Sequence, residues 1–127
     1  MLRLLQILYF IISILAPIIP PPNVTSTDRY STSKVSLTWD EIPEEFQRGY
    51  MVGYKVRYQL VRQSGQDITV GNPPVLVEFD RFVFAHEITG LLPYAEYKID
   101  VFGYAFEGDG PEYTYIAGKN GMILLIV

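Results

Sequence analysis

A corner motif constrains the fold of this chain more than any other stretch of its sequence. Leu91 and Pro93 are followed by Tyr97, which stands six residues after the leucine. A buried tyrosine fills a core with its ring, and its hydroxyl needs a hydrogen-bond partner. In Greek-key β-sandwiches a tyrosine at this point bonds the backbone a few residues upstream. The motif therefore predicts a tyrosine corner, where the chain passes from one sheet to the other.

Alternation of apolar and polar residues predicts short strands on both sides of this corner. The expected strands begin at Asn23 and cover residues 33–39, 52–60, 75–79, 82–88, 97–104 and 113–116. Turn residues separate these strands, and no helical period interrupts them. The pattern predicts an all-β fold, a seven-stranded antiparallel Greek-key β-sandwich.

The inward positions of these strands supply the expected core. Its members are Trp39, Tyr54, Val56, Tyr58, Leu91, Pro93, Tyr97, Ile99 and Val101. His86 takes an inward position in its strand, which indicates a partly buried ring satisfied by hydrogen bonds. Residues 108–111 (Gly-Asp-Gly-Pro) predict a turn before the last strand.

Charge and composition argue against several classes of function. The formal charge is −4 and the ten basic residues are scattered, whereas nucleic-acid binding needs clustered Lys and Arg. The chain has no Cys, one His and no phosphate-binding glycine loop, so we expect no catalysis and no cofactor. Four acidic residues cluster at 40–45, but they lack the spacing of a calcium loop, and no metal is expected there.

The two ends of the chain differ from the middle in composition. Residues 1–19 are mainly apolar with Arg3 as their only charge, and they fit a secretory signal, an uncleaved membrane anchor or an artefact of gene prediction. Residues 20–118 form the expected domain. Residues 119–127 form an apolar tail, for which two origins are expected: the start of a membrane span that is missing from the sequence, or translated intron. Asn23 begins an Asn-Val-Thr triplet, a candidate glycosylation site in a secreted chain.

The order of these motifs resembles that of a fibronectin type III domain, an immunoglobulin-like sandwich. The shared features are the Pro-Pro-Asn-Val start at 21–24, Trp39, the 53–58 strand, the corner and the turn at 108–111. Two positions depart from the family: Gly103 replaces the usual Ala, and His86 an aromatic or aliphatic residue. The Arg-Gly-Asp loop of integrin-binding members is absent.

The resemblance implies a non-catalytic extracellular module, secreted or attached to the cell surface, that acts as a spacer and binds another protein. Lys55, Arg57, Phe102 and Tyr104 point away from the expected core and form a candidate partner-binding face. The alternative is that they only stabilise cross-strand pairs. The loops at 40–49 and 106–110 are a second candidate. We expect the module to be part of an adhesion or receptor-like protein. The alternatives are an accessory domain of a receptor phosphatase or kinase, and a freestanding secreted binding protein.

Overall fold

The computed structural model describes Leu4 and residues 16–27, 33–68 and 71–118. Within these ranges the strands are β1 (Thr25–Thr27), β2 (Val35–Thr38), β3 (Met51–Gln63), β4 (Gln66–Asp67), β5 (Val75–Asp80), β6 (Ala85–Ile88), β7 (Ala95–Ala105) and β8 (Gly108–Ala117). One turn of 3₁₀ helix, Glu44–Phe46, lies between β2 and β3. Most of the predicted leader and the tail at 119–127 lie outside the described residues.

The strands form two antiparallel sheets that pack as a sandwich. One sheet has the order β1-β2-β6, and in the other β3 lies between β7 and the pair β4 and β5. β8 occupies the far edge, next to β7. Because β4 and β5 pair with successive parts of β3, they act as one strand interrupted near Pro73 and Pro74. The predicted antiparallel sandwich is confirmed, and this interruption explains eight strands in place of seven.

The hydrophobic core lies between the two sheets. β2 and β6 contribute Val35, Leu37 and Ile88 to it from the smaller sheet. Among the residues predicted for the core, those buried are Trp39, Tyr54, Val56, Leu91, Tyr97, Ile99 and Val101. Tyr58 is half-buried and packs against this cluster. Pro93 is exposed, contrary to the sequence prediction, because it shapes the backbone of the corner without filling space in the core.

Two buried tyrosine rings fix loops at opposite ends of the sandwich. The Tyr97 hydroxyl accepts a hydrogen bond from the Leu92 N–H at 2.9 Å, which confirms the tyrosine corner. The Tyr54 hydroxyl accepts one from the Ile42 N–H at the same distance. Desolvation raises the pKa of Tyr54, so this hydroxyl stays protonated. Each ring thus fills the core while its hydroxyl satisfies a backbone donor.

Several predicted strand boundaries differ from the observed ones, and local contacts account for two of these differences. β6 begins at Ala85 and not at Phe82, because Asp80 turns the chain: its side chain accepts the Phe82 N–H at 2.8 Å and its carbonyl the Val83 N–H at 3.0 Å. Residues 108–111 belong to β8, and the hairpin turn falls two residues earlier, between Ala105 and Gly108. An irregularity in the pairing of β7 with β8 accommodates the glycine-rich sequence there.

Packing against the domain starts before residue 20. Ala16 and Pro17 are buried, and the Ile18 N–H donates to the Phe46 carbonyl at 3.0 Å. A Cβ added to Gly110 would lie 2.8 Å from the Pro17 Cβ, so this glycine makes room for the segment. Residues 16–19 therefore lie on the domain, although their composition groups them with the leader.

Candidate protein-binding surfaces

The four residues of the predicted partner-binding face lie together on the outer side of the larger sheet. Lys55 of β3 pairs with Phe102 of β7. The Lys55 Nζ lies 4.4 Å from the ring centre of Tyr104, and the Arg57 Cζ lies 5.3 Å from that of Phe102. Phe102 is only 2% exposed. The prediction that Phe102 meets a partner therefore needs correction, because the two basic side chains cover its ring.

Arg57 is held by carboxylates of this same chain. Its Nε donates to Asp100 at 3.0 Å, and its second guanidinium nitrogen donates to Glu112. Thr114 donates its hydroxyl to the other Asp100 oxygen at 2.6 Å, so the buried carboxylate is fully engaged. Burial disfavours the Arg57 cation, but the bonds to Glu112 and Asp100 outweigh it and raise the pKa of Arg57. Sequence reasoning missed Asp100, whose outward position in an alternating strand is typical of a solvated residue.

Lys55 is occupied in a similar way. Its ammonium lies 2.9 Å from Asp109 and 3.9 Å from Glu78, and its side chain is 15% exposed. Tyr104 lies beneath this ammonium, and desolvation raises the pKa of its hydroxyl. The basic groups of the predicted face are thus matched within the chain. The face is built mainly as a cross-strand network.

Three exposed aromatic residues lie at one end of the larger sheet, and we call them the aromatic end: Tyr50, Phe82 and Phe106. Tyr50 precedes β3, while Phe82 and Phe106 follow β5 and β7. Because β3 runs antiparallel to both neighbours, all three fall at the same end of the sheet. They are 69%, 73% and 82% exposed, and the Phe106 N–H bonds the Tyr50 carbonyl at 3.0 Å. The sequence predicts the loop that contains Phe106 as a candidate for binding, but it predicts a strand at Phe82.

The loop between β2 and β3 (residues 40–49, the acidic loop) lies at this end and is held firmly. Ile42 is fully buried within it. Its N–H is bound by Tyr54, and its carbonyl accepts the Gln47 side chain at 2.8 Å. The carboxylates of the loop are exposed around this anchor: Asp40, Glu41, Glu44 and Glu45. A fixed backbone thus presents a set of solvated acidic groups.

A groove of about 400 Å³ opens beside the β7–β8 hairpin. Val52, Ala105 and Phe106 give it apolar lining, and Glu107 gives it an acidic group. Lys55 and Asp109, which form an ion pair with each other, also line it. It adjoins the aromatic end, since Phe106 belongs to both. A side chain with an apolar stem and a cationic head matches the part of this lining formed by Phe106 and Glu107.

Asn23, the candidate glycosylation site, is exposed two residues before β1. Its backbone has φ of 54°, a left-handed conformation that asparagine tolerates. Its Nδ2 donates to the Asp40 carboxylate at 2.7 Å. A glycosylated asparagine retains one N–H on this nitrogen, so the bond to Asp40 is compatible with a sugar.

Other kinds of site find no support in the described part of the chain. His86 packs against Phe79 with ring centres 4.8 Å apart, and burial lowers the pKa of its imidazole. Among the described residues, no three or more His, Cys, Asp or Glu side chains are grouped so that they could hold a metal ion. In the same ranges no helix is long and apolar enough to cross a membrane.

Comparison with known proteins identifies the family of this domain. The fibronectin type III domain family matches residues 19–119. Human contactin-3 is 34% identical over 91 residues, which is 72% of this chain, and chicken protein sidekick-1 is 31% identical over 74% of it. The third fibronectin III domain of the human KIAA0343 protein has the same fold, with a TM-score of 0.66 at 21% identity, covering 81% of this chain and 82% of that one. The chain belongs to the fibronectin type III family.

The relatives are much longer than this chain. The match spans 8% of contactin-3 and 4% of sidekick-1. The similarity therefore concerns one module of each protein.

Proposed function

We propose that this chain is a non-catalytic extracellular fibronectin type III module, a spacer and protein-binding unit of an adhesion or receptor-like protein. The similarity to contactin-3 carries the proposal, because it extends over 91 residues, which is 72% of this chain. Contactins and sidekick are cell-adhesion proteins. The apolar leader is the element that would direct such a module to the cell surface or the medium.

The aromatic end is the surface that best supports binding to another protein. The predicted face around Lys55 and Arg57 has its charges matched internally, whereas Tyr50, Phe82 and Phe106 are exposed. Exposed aromatic residues on fixed loops supply contact area at low cost in conformational entropy. A sandwich that anchors its loops through buried tyrosines is suited to this role.

Expression of the full chain in mammalian cells, with a tag at its C-terminus, tests the proposal. We expect the tag in the medium or on the outside of intact cells, and we expect the purified chain to bind the surface of some cell types. Binding should fall in the triple variant Tyr50→Ser, Phe82→Ser and Phe106→Ser but not in Tyr94→Ser, an exposed aromatic at the opposite end. A chain confined to the cytosol would contradict the extracellular role.

The same cells test glycosylation of Asn23, which we propose as a consequence of secretion. Digestion with a glycosidase specific for N-linked sugars should increase the electrophoretic mobility of the wild type. Asn23→Gln should migrate at the digested position without treatment. A secreted wild type whose mobility does not change would show that the site is unused.

A further inference from the structure

The acidic surplus of this chain is concentrated at one end of the sandwich. The acidic loop, the turn after β5 and the β7–β8 hairpin all lie there. Their acidic side chains are Asp40, Glu41, Glu44, Glu45, Asp80, Glu107 and Asp109. The basic side chains at this end are Arg48, Arg81 and Lys55, the last of which is paired with Asp109. The whole chain has a formal charge of −4, so the remainder contributes no net negative charge. A partner that meets this end encounters a negative surface.

The exposed aromatic residues sit within this negative surface. The face of an aromatic ring attracts cations, and a carboxylate nearby adds to that attraction. The molecule already contains such a contact, because the Arg81 guanidinium carbon lies 5.3 Å from the ring centre of Phe82. Phe106 is 82% exposed and lines the groove that also contains Glu107. An arginine from outside would find an aromatic face and the Glu107 carboxylate side by side.

The groups that would receive this cation are held in place before binding. Ile42 anchors the acidic loop through both its N–H and its carbonyl. The Phe106 N–H and the Tyr50 carbonyl join the hairpin to the start of β3. A surface that is already ordered loses less entropy on binding than a mobile one. These contacts favour a specific docking site over a diffuse negative field.

We infer that the aromatic end and the acidic loop together bind a basic segment of the partner protein, with an arginine side chain at the aromatic end. This inference rests on the proposed function and names the chemistry of the partner. Arginine fits better than lysine, because its planar guanidinium stacks on a ring while its N–H groups reach carboxylates. A polyanion such as heparan sulfate is the opposite kind of ligand and should be repelled.

Titration of the purified full chain with short fluorescent peptides tests the inference. The peptides alternate leucine with arginine, lysine or glutamate and are otherwise identical, and heparin is the polyanionic probe. We expect binding in the order arginine, lysine, glutamate, and no binding of heparin. The triple reversal Glu41→Lys, Glu44→Lys and Glu45→Lys, and separately Phe106→Ala, should each weaken the arginine peptide about tenfold. Glu87→Lys on β6 and Tyr94→Ala at the corner are the matched controls and should change it little.

The outcomes separate this inference from the proposed function. Equal affinity for all three peptides, or equal losses in the control variants, would overturn the inference. Cell-surface binding that survives the triple reversal would also overturn it, while the protein-binding function would stand. A chain that binds the arginine peptide as described but binds no cell surface would support the inference and contradict the proposed function.

Discussion

The Tyr97 hydroxyl accepts the Leu92 N–H at 2.9 Å and closes the corner between the two sheets. Removing the hydroxyl in Tyr97→Phe leaves a backbone donor without its partner near the core. We expect the free energy of unfolding to fall by about 1–3 kcal/mol, measured by urea denaturation. Tyr94→Phe in the same corner is the control, since Tyr94 is 48% exposed. Equal midpoints for Tyr97→Phe and the wild type would show that this bond contributes nothing.

Arg57 and Asp100 should be more important for stability than for binding. In Arg57→Met the Asp100 carboxylate remains buried with Thr114 as its one neutral donor. We expect a loss of about 2–3 kcal/mol, because a buried charge then lacks its counter-ion. In the double variant Arg57→Met and Asp100→Leu the charge is gone, and most of this loss should be recovered.

A double-mutant cycle by chemical denaturation measures this coupling. Lys34→Met is the control, because Lys34 forms an exposed ion pair with Glu87 at 3.7 Å. This variant should lower the free energy of unfolding by less than about 1 kcal/mol. Additive losses for Arg57 and Asp100 would mean that the two residues act independently.

The alternation of apolar and polar residues determines how much of the fold the sequence predicts. The strict patterns in β2, β3 and β7 identify the inward residues, because successive side chains of a strand point to opposite faces. Alternation does not tell what covers an outward residue. The pattern therefore predicts an exposed Phe102, whereas in the structure the side chains of Lys55 and Arg57 lie over its ring.

The candidate site was predicted less well than the fold, again for a physical reason. Tyr50, Phe82 and Phe106 are far apart in sequence, and the antiparallel pairing of three strands brings them to one end. Phe82 also extends an apolar stretch, and this pattern predicts a strand there. The side-chain bond from Asp80 that turns the chain there depends on tertiary placement.

Gly53 begins the 53–58 strand motif, but the sequence does not show why a glycine is needed there. A Cβ there would lie 1.8 Å from the Phe79 carbonyl oxygen, so β5 could not pair with β3 as it does. We expect Gly53→Ala to destabilise the domain by about 3 kcal/mol, at the upper end for overpacking, because backbone must move.

Gly108→Ala is the matched control for this prediction. A Cβ at Gly108 would meet only the Ala16 Cβ, at an ordinary 3.7 Å. Thermal unfolding should show a clear fall for Gly53→Ala and little change for Gly108→Ala. Similar melting temperatures for the two variants would contradict the close approach of β3 and β5.

His86 should make the stability of the domain depend on pH near neutrality. Burial lowers the pKa of its imidazole below the ordinary 6.5, and the Glu87 carboxylate opposes this shift only in part. As the pH falls through 6.5, the unfolded chain binds the proton first, so stability declines until the folded pKa is passed. Above 6.5 both states are neutral and this loss is absent.

We expect the urea midpoint of the wild type to fall between about pH 7.5 and pH 5.5. His86→Phe keeps an aromatic ring against Phe79 and should fall less over the same range. Parallel pH profiles for the two proteins would assign the dependence to other groups.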